Sequence, residues 1–194
     1  TYIMNIAIVG ATGNVGRKTL EVLEKKKISI DNLYLVASPK SAGKKIKFQG
    51  KEIEVYNLEN FDFSKVNIAF FAAGGKISEK FAEKAAKHCL VIDNSSFFRM
   101  DPDVPLVVPQ VNSDDLNNIK KNIIANPNCS TAQLVIALKP LHDLFVIKRI
   151  VVSTYQSVSG AGKAPMDELF DQTQLALDGK NIKSKNFTKQ IAFN

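Results

Sequence analysis

Residues 3–9 form an apolar run that breaks into Gly10-Ala11-Thr12-Gly13-Asn14-Val15-Gly16 and leads into an amphipathic stretch carrying Leu20, Val22 and Leu23. Strand, glycine turn and helix in that order are the context that a dinucleotide fingerprint requires. Gly10 permits the tight turn. Gly13 lets backbone approach a pyrophosphate seated on the helix N-terminus, and Gly16 allows the helix to pack closely on the strand. Glycines also mark plain turns, so the flanks decide the reading, and here both flanks fit.

The rest of the first half extends the pattern. A second strand at 33–37 ends in Ser38-Pro39-Lys40-Ser41. An NAD enzyme usually places a carboxylate there for the ribose 2′-hydroxyl; hydroxyls and a cation favour a 2′-phosphate, hence NADP. The alternative is an ordinary Ser/Pro turn with a solvated lysine. Residues 47–56 alternate around Gln49-Gly50 and read as a hairpin. A buried strand at 66–71 runs into Ala72-Ala73-Gly74-Gly75, where small residues either admit the cofactor or only make a tight turn. Gly74 is accordingly a cofactor candidate. A helix is expected over 78–88 and a strand over 90–92, which ends in Asp93-Asn94-Ser95-Ser96; Cys89 reads as core. Repeated strand–helix alternation argues for an α/β, Rossmann-type doubly wound sheet with ligands at the carboxyl ends of its strands.

The second half opens on Asn126-Pro127-Asn128-Cys129-Ser130-Thr131, followed by an apolar helical run to about 145. A proline-restricted loop thus delivers Cys129 to the first turn of a helix, with Ser130 and Thr131 as residues of the kind that satisfy free amides there. The positive end of the helix dipole favours a thiolate at such a place, so Cys129 is the candidate nucleophile. A buried, inert cysteine is the alternative, for which a polar loop is a poor site. Arg99 stands out in a chain with three arginines, shortly after a strand end. Its fork suits bidentate binding of phosphate or carboxylate, and the competing reading pairs it with Asp101 or Asp103. A strand at 150–156 would place Gln156 at its end, ahead of Ser157-Val158-Ser159-Gly160-Ala161-Gly162-Lys163 and a helix from about 165 to 177. Residues 190–194 read as the beginning of a further strand.

A thiol beside a dinucleotide site suggests that the thiol adds to an aldehyde, hydride is removed, and a thioester remains for a second nucleophile. An acid/base group is needed, most often histidine. The chain has His88 and His142 only. His142 lies thirteen residues beyond Cys129, about 20 Å along a continuous helix, and His88 ends a helix at the edge of the cofactor half. Neither suits the role.

Composition narrows the remaining classes. At 194 residues, with 45% hydrophobic and 23% charged content, the chain is ordinary globular material. It has no membrane-length apolar run and no signal-peptide pattern. Two cysteines at unrelated positions give no disulfide framework, which fits a reducing cytoplasm. The net charge of +7 comes from scattered lysines without a nucleic-acid reading motif. No metal-ligand spacing is evident.

Four spaced motifs carry a resemblance over essentially the whole chain. They are Gly10 to Gly16, Asp93-Asn94-Ser95-Ser96-Phe97-Phe98-Arg99-Met100-Asp101, Asn126 to Thr131, and Ser153-Thr154-Tyr155-Gln156-Ser157-Val158-Ser159-Gly160-Ala161-Gly162. Together they resemble bacterial-type aspartate-semialdehyde dehydrogenase. The resemblance implies NADP-dependent, phosphorylating oxidation of L-aspartate 4-semialdehyde to L-4-aspartyl phosphate, run in reverse in the biosynthesis of lysine, threonine, methionine and diaminopimelate. It implies Cys129 as the acyl-thioester nucleophile and Gln156 as a substrate-positioning residue. It also implies Arg99 and Asn128 as phosphate-binding residues, and Thr12, Gly13, Asn14, Val15, Ser38, Lys40, Ser41, Ser159 and Gly160 as NADP contacts. Partners implied are a small-molecule substrate, phosphate and a second copy in a homodimer. N-acetyl-glutamyl-phosphate reductase shares the cysteine chemistry but usually has Gly and Tyr where this chain has Asn128 and Ser130.

Lys40 stands where the bacterial enzymes commonly have arginine, and Gln110 replaces a usual glutamate. The family also extends well past residue 194, and that part carries the catalytic histidine, a substrate-binding arginine, a lysine near the phosphate and most of the dimerisation sheet. On this reading residues 1–128 are the NADP-binding domain and 129–194 the truncated beginning of an α+β catalytic domain. The alternative function is a non-catalytic, NADP-binding chain.

Overall fold

Ile6 and Ile8 face one side of the first strand while Ala7 and Val9 face the other, and all four are buried. A strand with two apolar faces belongs inside a sheet covered on both sides. The computed structural model describes residues 4–194, so Ile3 of the expected first strand lies outside the described residues. Two compact units are present, one ending at Val152 and one spanning Ser153–Asn194.

The first unit contains β1 (Asn5–Val9), α1 (Asn14–Lys25), β2 (Asn32–Ala37), β3 (Lys45–Phe48), β4 (Lys51–Asn57), β5 (Ile68–Phe71), α2 (Gly75–Ala86), β6 (Leu90–Asp93), α3 (Pro109–Asn112), β7 (Ile123–Ala125) and α4 (Cys129–Phe145). The seven strands are ordered β3-β4-β2-β1-β5-β6-β7. Every neighbouring pair is parallel except β3 with β4. Leu20 and Leu23 of α1 pack with Ile6, Ile8, Leu35 and Val55 on one face. Phe81, Ala82 and Ala85 of α2 pack with Ala7, Val9, Val36, Phe71 and Val91 on the other. The expected doubly wound sheet is therefore present. Its strand order reverses at β1, which opens a crevice outside the carboxyl ends of β1 and β5.

Between β2 and β4 the crossover is made by a hairpin instead of a helix. Gln49 and Gly50 both have positive φ, 47° and 79°, as a two-residue primed turn requires. The Gln49 amide donates to Glu24 Oε1 at 2.7 Å and ties the turn to the end of α1.

Several boundaries differ from expectation. Helix α2 starts at Gly75, not Ser78, because the amides of Ile77 and Ser78 donate to the Gly74 carbonyl. The Ser78 hydroxyl, which looks like a start signal, is engaged inside the protein with Asp93 at 2.6 Å. The short strand β7 was not anticipated; it continues the sheet beside β6 with Val91, Ile92 and Asp93 opposite Ile123, Ile124 and Ala125. The expected strand at 150–156 does not form. Val151 is 81% exposed and Tyr155 fully exposed, and no described strand pairs with this segment, so its backbone has no ladder to join.

In the second unit, α5 (Lys163–Leu177) begins two residues before the expected start. Its buried Glu168 and Gln172 hold the irregular chain that follows. Glu168 accepts from the amides of Lys185 and Asn186 at 2.8 and 2.6 Å. Gln172 Oε1 accepts from the amides of Ile191 and Ala192 at 2.8 and 3.2 Å. Those amides are thereby used, and the strand expected at 190–194 is replaced by a turn.

The bond from the Lys185 amide, followed by those from Asn186 and Gln172, holds the Glu168 carboxyl below the usual carboxylate range, although burial acts against it. A lowered folded value means that the carboxylate stabilises the fold fully above the ordinary value of 4.5 and that this is lost as pH falls through the lower one. Acidification should therefore release residues 185–186 in the native chain. In Glu168→Gln the segment should already be loosened at neutral pH and largely insensitive to acid. Amide chemical shifts of Lys185 and Asn186, followed from pH 7 to 3, test this.

Candidate active site

The glycine loop is built by close backbone contacts. Gly10 turns at φ +86°, and its amide and that of Ala11 donate to the Val36 carbonyl at 2.8 and 3.3 Å. A Cβ at Gly10 would lie 2.7 Å from the Ala72 carbonyl oxygen, and one at Gly16 would lie 2.2 Å from the Gly10 carbonyl oxygen. These two glycines are what allow β1, β5 and α1 to meet. Gly13 is the N-cap of α1 and has no side chain to satisfy the amides of the first turn. Gly13, Asn14 and Val15 are exposed and Thr12 is half-buried. The loop is thus an open amide-lined cradle with no acidic residue in the helix's first turn, which fits an anionic pyrophosphate.

Beside it, Ser38, Pro39 and Lys40 are exposed after β2, in a short turn closed by the Ser41 amide on the Ser38 carbonyl at 2.8 Å. Thr12 Oγ1 lies 3.5 Å from Ser41 Oγ. The glycine loop and the 38–41 turn are therefore neighbours at the carboxyl ends of β1 and β2. Gly74 caps α2 at φ +86°, but a Cβ there would meet nothing within 4 Å. Conformation, not crowding, is what its position demands of glycine.

Further along the same sheet edge, β7 leads through Asn126-Pro127-Asn128 into α4. Asn128 is the N-cap, and its side chain accepts from the Ser130 amide at 3.0 Å. The cap is thus Asn128, and Ser130 is the donor, contrary to the expectation that Ser130 and Thr131 would satisfy the amides. Cys129 is the first residue of the helix and is exposed. Cys89 differs in every respect: it is buried, its thiol is pushed up to about 11 by burial, and its Sγ lies 3.4 Å from the Ala85 carbonyl oxygen.

Arg99 does not make the expected alternative pairing with Asp101 or Asp103. Its Nε donates to the Asn126 carbonyl at 3.0 Å and its Nη2 to the Asn94 carbonyl at 3.2 Å. Asp101 and Asp103 are paired instead with Lys121 and Lys120, at 2.8 Å each. The guanidinium spans the ends of β6 and β7. At the end of β6 Asp93, fully buried, accepts from Ser78 Oγ at 2.6 Å, the Ser95 amide at 3.0 Å and Ser95 Oγ at 2.7 Å. This knot fixes the loop that carries Arg99. Asp93 and Asn94 belong to a motif visible in the sequence, but their individual roles were not.

Gln156, Ser159 and Gly160 belong to the second unit. Gln156 is exposed in irregular chain, not at a strand end as expected, with the Thr154 hydroxyl 3.3 Å from its Oε1. Ser159 and Gly160 lie in the turn Val158–Ala161, where the Ser157 and Ser159 hydroxyls are 2.7 Å apart. His142 sits in the last turn of α4 at the end away from Cys129, and His88 precedes β6 at the sheet edge opposite Arg99. Among the described residues no group of three His, Cys, Asp or Glu could hold a metal ion. No described helix is long and apolar enough to cross a membrane.

Fold and site together define a nucleotide-binding α/β domain whose last strand delivers an exposed cysteine on a helix N-terminus. The chain belongs to the semialdehyde dehydrogenase family: residues 5–119 match its NAD binding domain and residues 138–194 its dimerisation domain. It is 53% identical over 192 residues to aspartate-semialdehyde dehydrogenase 2 of Vibrio cholerae, covering 98% of this chain and 57% of that protein. It is 54% identical to aspartate-semialdehyde dehydrogenase of Aquifex aeolicus, over 97% of this chain and 57% of that one. The structure of aspartate semialdehyde dehydrogenase II from Vibrio cholerae complexed with ASA superposes with a TM-score of 0.92 at 52% identity, covering all of this chain and 58% of that one. The Candida albicans enzyme, solved with NADP, gives a TM-score of 0.61 at 28% identity over 75% of this chain and 48% of that one. The chain thus spans somewhat over half the length of the curated relatives it matches.

Proposed function

We propose that this chain is part of an NADP-dependent, phosphorylating aspartate-semialdehyde dehydrogenase that forms L-4-aspartyl phosphate through a thioester on Cys129. The observation that carries this reading is the single sheet edge that holds the glycine cradle, the exposed Cys129 and the Arg99 fork. The names of the relatives supply the substrate. Gly10, Thr12, Gly13, Asn14, Val15 and Gly74 would hold the pyrophosphate and nicotinamide half of the cofactor. Ser38, Lys40 and Ser41 would take its 2′-phosphate, and the family resemblance adds Ser159 and Gly160 as cofactor contacts. Bound NADP supplies the acceptor for the hydride released as the thiol adduct of the aldehyde becomes a thioester.

Cys129 Sγ forms the bond to the aldehyde carbon, and Gln156 positions the substrate. Arg99 and Asn128 hold inorganic phosphate, one oxygen of which attacks the thioester carbon. The C–S bond then breaks, and the electron pair returns to the Cys129 sulfur. The cofactor-binding part is assigned to residues 1–128 and the opening of the catalytic domain to 129–194. Two cysteines at unrelated positions give no disulfide framework, which suits a reducing cytoplasm. The match to a dimerisation domain, with Leu144 and Phe145 74% and 75% exposed, supports a homodimer.

A second reading, an NADP-binding chain without catalysis, is favoured by the position of both histidines away from Cys129. Phosphate-dependent NADP reduction by the purified chain with L-aspartate 4-semialdehyde decides between them. Turnover that disappears in Cys129→Ala supports the dehydrogenase; NADP binding without turnover supports the second reading.

The choice of NADP has its own test. Lys40→Glu should weaken NADP by about tenfold to a hundredfold and NAD by less than about twofold, measured as dissociation constants. An equal loss for both would overturn the 2′-phosphate assignment.

A further inference from the structure

Asp93 and Ala125 are the last paired residues of the parallel strands β6 and β7. The residues that follow them, Asn94 and Asn126, therefore leave the sheet side by side. The ladder runs one step further, with the Asn126 amide on the Asp93 carbonyl at 2.8 Å. At that step the side chains also join: Asn126 Nδ2 donates to Asn94 Oδ1 at 2.7 Å. The backbone carbonyls of the same two residues are the ones that take Arg99 Nε and Nη2. A closed ring results, in which a side-chain amide bond fixes the spacing of two carbonyls and the carbonyls fix the plane of a guanidinium. Two of the five guanidinium donors are committed to it, and the others keep their fork geometry.

Asn126 is also three residues before Cys129, with the buried Pro127 and the helix-capping Asn128 between them. Whatever holds Asn126 holds the nucleophile loop. Structure alone does not demand this bond. Asn126 is exposed, and a parallel ladder ends without help from side chains.

We infer that the Asn94–Asn126 side-chain bond is a positioning device that locks the Arg99 loop to the Cys129 loop and so sets the distance between bound phosphate and the thioester. The inference rests on the reading of Arg99 as the phosphate-binding residue. Breaking the bond lets the two strand ends splay and turns the fork away from the place where phosphate must lie. Misplacement on the scale of an ångström is costly in such sites.

Inorganic phosphate is the probe, titrated calorimetrically into the purified chain, with NADP titrated separately as a control on the cofactor cradle. Asn94→Ala and Asn126→Ala should each weaken phosphate about tenfold, with NADP affinity and melting temperature nearly unchanged. The double variant should be no weaker than either single one, since both substitutions remove the same bond. Arg99→Lys should weaken phosphate at least as much. If Arg99→Lys weakens phosphate while both asparagine variants bind it normally, the positioning role is overturned and the phosphate reading stands. If Arg99→Lys leaves phosphate binding unchanged, the phosphate reading itself fails, and the positioning role fails with it. Additive losses in the double variant would show two separate structural effects and would also overturn it.

Discussion

Replacing Cys129 by alanine should reduce phosphate-dependent NADP reduction by roughly three to six orders of magnitude and leave NADP affinity within about twofold. The size of the effect follows from covalent catalysis. Without sulfur no thioester forms, and phosphate has no activated acyl carbon to attack. The small effect on the cofactor follows from position: Cys129 begins α4 after β7, whereas the glycine cradle is at the ends of β1 and β5. A parallel loss of NADP binding would contradict the assigned role. Alkylation provides a readout independent of turnover. Exposed Cys129 should react readily with iodoacetamide at neutral pH, while Cys89, buried and pushed up to about 11, should stay protected until the protein unfolds. Labelling confined to Cys89 would reverse the assignment.

Gly16→Ala should cost about 3 kcal/mol, with a fall in melting temperature of roughly 6–12 °C, and should abolish measurable NADP binding. The added Cβ would sit 2.2 Å from the Gly10 carbonyl oxygen and 2.8 Å from Ala11 Cα. Both neighbours are backbone, so no side-chain rotation relieves the clash; α1 must move off the sheet and take its N-terminus with it. Gly13→Ala is the informative contrast. Its φ is −80°, and the added Cβ would meet only the Gly10 carbonyl oxygen, at 3.3 Å. Stability should change by less than about 1 kcal/mol, while NADP weakens at least about tenfold because the methyl occupies the face that a pyrophosphate approaches. Thermal unfolding and NADP titration of both variants separate packing from binding. Equal behaviour of the two would mean that the glycine loop is only a turn.

Much of this was legible in the residues themselves. Gly10, Gly13 and Gly16 between an apolar run and an amphipathic one can satisfy both flanks in few ways, and the strand, turn and helix follow from local chemistry. The same holds for the hairpin at Gln49-Gly50 and for a helix opening at Cys129 behind a proline-restricted loop. These features depend on backbone conformations and periodicities that act over a few residues.

What stayed hidden depended on partners distant in sequence. Residues 150–156 have the composition of a strand, but a strand exists only through a neighbouring ladder, and none of the described strands supplies one. Ile191 and Ala192 were read as strand because nothing local shows that Gln172 takes their amides. Ser78 looked like a helix start because its buried partner, Asp93, lies fifteen residues away. Arg99 was read as a phosphate binder or a partner of Asp101 or Asp103, and neither reading showed that the register of β6 and β7 brings it the carbonyls of Asn94 and Asn126. Sequence alone thus determined the glycine loop and the helix that opens at Cys129, whose geometry is dictated by nearby residues. Tertiary structure decided what those elements face, because long-range hydrogen bonds form only after the sheet has set which distant residues stand side by side.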